Sequence, residues 1–140
     1  LCAAWIGPAA VVADAAGETP ARAAREAVVD LIAARLELMP AVAAAKWRQG
    51  QPIEDPAREA VVMADALAAA ARHGLDGEPV GRLFRVQMAA ARAVQAYWLE
   101  AWASGRAQPP EDADLAGDIR PRLSGLGESI VSAAARAAAD

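Results

Sequence analysis

The chain has 140 residues, 18 acidic against 14 basic, a net charge of −4, one Cys and one His. Apolar residues make up 56%, much of it Ala, so one helical domain with a thin core is expected and a predominantly β fold is excluded. The lone Cys excludes an internal disulfide and a Cys-based zinc site, the lone His argues against a His-cluster metal site or a His-based triad, and the mild acidity argues against nucleic-acid binding.

Residues 1–13 are nearly all apolar, broken by Gly7 and Pro8. The run is shorter than the roughly 20 residues of a membrane span and fits the apolar region of a signal peptide. Ala13-Asp14-Ala15 has the small-x-small form of a cleavage site. Residues 1–16 are therefore expected to be a signal remnant, with a single domain over 17–140. Cys2 would leave with the remnant, and the mature protein would work in the periplasm or outside the cell, off the membrane. The bland alternative is a frayed apolar tail or a helix that docks on a partner.

Thr19-Pro20 reads as a helix start, with Thr as N-cap and Pro at the first position. Val28, Leu31, Ile32, Leu36 and Met39 recur at helical spacing. Pro40 is expected to kink this long first helix rather than end it, and Gly50 to stop it. Asp55-Pro56 repeats the start signal, and Gly74 follows as a natural terminator. Pro79 is taken to open a third helix carrying Leu83, Phe84, Met88, Ala91, Val94 and Trp98, up to Gly105. Residues 106–113 read as a Pro-rich acidic loop. Asp114 then caps a last segment, which Pro121, Gly125 and Gly127 should weaken. The expected fold is all-α, a bundle of about four helices with a long kinked first helix.

The polar residues that interrupt the apolar faces carry the functional signal. Lys46 is the only lysine among the 14 basic residues. Arg35 lies eleven residues before it, so the two share a face within about 20° and stand roughly 16 Å apart on a straight helix. A single Lys on a solvated edge ordinarily snorkels. Arg58 and Glu59 fall in the first turn after the Asp55 cap. Glu suits that end of the helix dipole; Arg there calls for an anionic partner. Gln87, Ala91 and Gln95 form one stripe beside Phe84 and Trp98, and buried amides need partners. Together Arg35, Lys46, Arg58 and Gln95 suggest a cationic pocket for a small dianion, without a base or nucleophile.

The stretch Arg35-Leu-Glu, Lys46-Trp47, Asp55-Pro-Ala-Arg58-Glu59, Phe84-Arg-Val-Gln87 and Gln95 resembles the all-helical chorismate mutases, and with the apolar leader their secreted, periplasmic subclass. The likeness is good over residues 28–102 and looser beyond. It implies a cofactor-free, metal-free enzyme that converts chorismate to prephenate, and a homodimer. By position, Arg35 matches the arginine that binds a substrate carboxylate. Lys46 matches the lysine at the ether oxygen and a carboxylate, and Gln95 the second group facing that oxygen. Arg58 matches the helix-two arginine of the site, and Asp55 and Glu59 the pair near the ring hydroxyl. Ala91 and Val62 stand where members often place hydrogen-bonding side chains. Cytosolic relatives complete the site with an N-terminal arginine from the partner chain; the matching place here is near Glu18, which cannot serve. The secreted subclass uses a C-terminal arginine, for which Arg120 is the candidate and Arg122 the fallback. The rival readings are an isochorismate-pyruvate lyase and a non-catalytic helical binding protein with a relic pocket.

Overall fold

The computed structural model describes residues 19–111 and 114–139. The expected signal remnant and Cys2 lie outside the described residues. Five α-helices follow in order: α1 Pro20–Glu37, α2 Met39–Gln49, α3 Pro56–Arg72, α4 Gly77–Ala103 and α5 Arg120–Ala138, with a π-helical turn at Leu115–Ile119 before the last. Counting α1 and α2 as one bent rod, this is the four-helix, all-α architecture read from the sequence.

The bend falls at Leu38. Pro40 has no N–H to give Leu36, so the regular ladder lapses there. Leu38 N–H bonds back to Arg35 at 3.3 Å, and the ladder resumes with Val42 N–H to Leu38 at 3.1 Å. Leu38 keeps right-handed helical angles, φ −80° and ψ −12°, which is why the chain bends rather than turns away. Gly50 and Gly74 end α2 and α3 at φ 63° and 69°. Each lets the next N–H reach back five residues, Gln51 to Lys46 and Leu75 to Ala70, both at 2.9 Å.

Three starts are capped as expected: Thr19 accepts from Arg22 N–H, Asp55 from Arg58 N–H and Asp114 from Gly117 N–H. The third start differs. Asp76 is the N-cap, accepting from Glu78 N–H, and α4 begins at Gly77 rather than at Pro79. Pro79 merely occupies the first turn, where its missing N–H costs nothing. Gly125 and Gly127, expected to weaken the last segment, lie inside α5, which runs from Arg120 to Ala138 with Pro121 in its first turn. Its Ile130, Val131 and Ala133 are buried, and packing outweighs the roughly 1 kcal/mol cost of each glycine.

The helix α4 spans 27 residues, about 40 Å, and is the spine of the domain. It packs on both α2 and α3. Ala43 and Ala44 of α2, both fully buried, lie against Trp102, where their small side chains let two helices approach closely. Ala69 and Ala70 of α3 do the same beside Phe84, Ile130 and Val131. The most extensive interface joins α1 to α5, the two ends of the described chain. Between the Phe84 cluster and a second cluster around Met39, Val42 and Ile119, the bundle does not close, and a cavity remains.

Candidate active site

The cavity has a volume of about 310 Å³, suited to a small ligand. Every helix contributes to its wall. Val42, Val62, Phe84, Ala91 and Leu115 make much of the lining apolar. Charges set in such a wall interact more strongly than they would in water.

The bend in the first rod brings Arg35, near the end of α1, and Lys46, near the end of α2, into the same cavity. Arg35 is 6% exposed. Its guanidinium carbon lies 5.8 Å from the centre of the Phe84 ring, and its Nε has no hydrogen-bond partner. Burial lowers its pKa, and the nearby positive charge of Arg58 adds to that. Lys46 is 7% exposed. The segment after α2 folds back so that the Ile53 carbonyl accepts from Lys46 Nζ at 2.6 Å. Burial lowers the Lys46 pKa; Asp55 and Glu59 oppose that shift, and Arg120 reinforces it. The snorkelling alternative does not hold, because the ammonium ends inside the protein.

The Asp55 cap explains why α3 starts where it does, with its Oδ1 3.0 Å from Arg58 N. That start points the first turn at the cavity. The Arg58 guanidinium reaches the lining and has no ion pair among the described residues, so none of them supplies the anion that its place in the sequence calls for. Gln95 is buried on α4, its Nε2 3.6 Å from Met39 Sδ and its Oε1 unpartnered. Gln87 and Ala91 of the same stripe are buried too. Gln87 lies away from the cavity, with both ends of its amide unpartnered. Arg120, at the start of α5, lines the cavity. Arg122 does not; it is exposed and pairs with Asp118 at 3.5 Å. All seven expected site residues, Arg35, Lys46, Asp55, Arg58, Glu59, Gln95 and Arg120, therefore meet in one cavity formed within a single chain.

Four further charged residues in the wall were not singled out in the sequence: Asp65, Arg72, Arg92 and Glu128. Arg92 Nη1 lies 2.5 Å from Glu59 Oε1. Arg72 and His73 both hold Glu128, at 2.6 and 3.2 Å, and the two contacts keep the Glu128 carboxyl below its ordinary pKa, the His73 hydrogen bond most of all. Each pair joins residues more than 30 apart in the chain, and locally each side chain reads as a solvated charge. In all, six cations (Arg35, Lys46, Arg58, Arg72, Arg92, Arg120) face four carboxylates (Asp55, Glu59, Asp65, Glu128), a surplus of two positive charges. Among the described residues no group of three or more His, Cys, Asp or Glu could hold a metal ion.

The profile of the family described as chorismate mutase type II matches residues 24–96. That is just over half of the chain. The chain belongs to the chorismate mutase type II family. The matched stretch holds six of the seven expected chorismate mutase site residues and stops short of Arg120. The protein named secreted chorismate mutase of Mycolicibacterium smegmatis is 34% identical over 109 residues, 78% of this chain and 60% of the relative. Its namesake from Mycobacterium tuberculosis is 34% identical over 106 residues, 75% of this chain and 53% of the relative. The chain thus spans a little over half the length of these curated relatives. Among solved structures, the chorismate mutase of Burkholderia phymatum superposes with a TM-score of 0.78 at 35% identity, covering 86% of this chain and 74% of that one. The Burkholderia thailandensis chorismate mutase gives 0.75 at 35% identity, covering 81% and 72%. No described helix is long and apolar enough to cross a membrane.

Proposed function

We propose that the protein is an exported chorismate mutase, converting chorismate to prephenate in the cavity between the helices. The observation that carries this reading is the surplus of two positive charges in a largely apolar cavity, with Arg35 and Lys46 buried there. Chorismate is a dianion, and it supplies the counter-charge for Arg58 and Arg120, which have no ion pair among the described residues.

The rearrangement is pericyclic and stays within one molecule. One carbon–oxygen bond breaks while one carbon–carbon bond forms, and no proton or electron is exchanged with the protein. The catalyst holds the compact diaxial conformer and stabilises negative charge as it builds on the ether oxygen. Arg35 fixes one carboxylate and Arg120 completes the site from the other end of the chain; guanidinium forks suit carboxylates. Lys46, already held by the Ile53 carbonyl, and Gln95 donate to the ether oxygen. Asp55 and Glu59 stand by the ring hydroxyl, and Arg58 adds positive charge over the substrate. At Ala91 and Val62 the wall offers only apolar contact.

Export, to the periplasm or beyond, is supported by the names of the mycobacterial relatives and by the apolar leader. A homodimer is what the likeness to the chorismate mutases implies, and light scattering tests it. The activity is tested by following the ultraviolet absorbance of chorismate with the purified protein, and of isochorismate in parallel. Loss of chorismate with prephenate as product is expected. Release of pyruvate from isochorismate without mutase turnover would shift the reading to the lyase. Turnover of neither would leave a binding protein.

A further inference from the structure

We infer that Arg92 is a positioning residue that neutralises Glu59 and aims its free oxygen into the cavity, an assignment that rests on the mutase reading. Glu59 belongs to α3 and Arg92 to α4, and both line the cavity. Arg92 Nη1 holds Glu59 Oε1 at 2.5 Å. The two side chains are 35% and 32% exposed. A pair this open adds little to stability, so its consequence lies in what it does to the cavity.

That consequence is electrostatic and geometric. Glu59 is one of the carboxylates that act on Lys46. Left alone, it would be an anion in the wall of a site that must accept a dianion. Paired with Arg92, it contributes almost no net field. One of its oxygens is taken by Arg92, and the other is left to accept from a hydroxyl of the ligand. The pair lines the cavity yet keeps 35% and 32% of its side chains exposed, so it stands where the cavity wall meets solvent.

The test is a double-mutant cycle on the full chain with chorismate. Arg92→Met keeps the apolar stem and removes the charge, so the cavity surplus falls from two to one. KM is expected to rise about tenfold, with kcat moving less than about threefold, because the unmasked carboxylate repels bound substrate and transition state alike. Arg92→Lys restores most of the KM. In a Glu59→Gln background there is no carboxylate to neutralise or position, and adding Arg92→Met then costs only its own cation, so KM rises by no more than about threefold. A merely structural role for Arg92 would not be cancelled by Glu59→Gln. Equal KM penalties in both backgrounds, or no penalty in either, overturn the assignment and leave the mutase reading standing. No turnover by the wild type overturns the mutase reading, and this assignment with it. Arg92→Gln runs alongside, so that misfolding of the Met variant does not decide the result.

Discussion

Lys46→Met separates function from folding. It keeps the length and apolar stem of the side chain and removes the charge and its donors. Losing one preorganised donor at the developing oxyanion costs about 2.7–4 kcal/mol, so kcat is expected to fall roughly 100- to 1,000-fold. Stability behaves differently. The variant loses the 2.6 Å bond to Ile53, a charge-assisted contact worth about 1.5–3 kcal/mol. It also loses a cation that burial penalises, as the lowered pKa of Lys46 shows. The two effects oppose each other, and Tm is expected to stay within about 5 °C of the wild type. The pH dependence has a definite sign. The folded-state pKa lies below the unfolded value of about 10.4, so the unfolded chain binds more protons between the two. Wild-type stability relative to the variant therefore rises with pH across that window. The assays are chorismate consumption and thermal melts by circular dichroism near pH 7 and near pH 10. A Tm drop of more than about 10 °C in step with the activity would mean that Lys46 serves the fold. Activity within about threefold of wild type would remove it from the reaction.

Gln95 is neutral and the reaction transfers no proton, so kcat is expected to stay nearly flat from about pH 5 to about pH 8; a steep fall across that range would count against Gln95 at the ether oxygen. Phe84→Ala empties a site that is 1% exposed and removes the ring beneath Arg35. It should cost about 3–5 kcal/mol in a urea melt, and a loss under about 1 kcal/mol would contradict the packing described. Gly50→Ala meets no atom within 4 Å but must hold φ +63°. Its cost is conformational alone, about 1–2 kcal/mol by denaturation, and a neutral result would mean that α2 ends differently in solution.

What local chemistry decides was legible in the sequence. The Thr19, Asp55 and Asp114 caps, the Pro40 bend and the Gly50 and Gly74 ends all follow from side-chain and backbone preferences that act over one turn. The start of α4 is expected at Pro79 alone. Asp76, three residues earlier, caps the helix, and Pro79 sits without cost in the first turn. The glycines of α5 looked disruptive because the partner that stabilises them, α1, lies a whole chain away. The candidate site divides in the same way. Arg35, Lys46 and Gln95 betrayed themselves as charges and amides on apolar faces. Arg92 and Glu128 are ordinary charged residues on helices, and only the crossing of α3 with α4 and α5 gives them partners. The choice between Arg120 and Arg122 likewise depended on how the π-helical turn orients the start of α5.

The pairing of α1 with α5 has a consequence for how the protein comes into being. Their residues lie roughly a hundred positions apart, and contacts so distant in sequence slow folding because a long loop must close before they form. During synthesis at about 5–20 residues per second, α1 emerges many seconds before the helix it needs. Arg35 and Arg120, from those same two helices, come together in the same event. No partial pocket can then work ahead of the finished domain, and a chain cut before α5 should be silent rather than weakly active. Assembly of the site and completion of the fold are a single step.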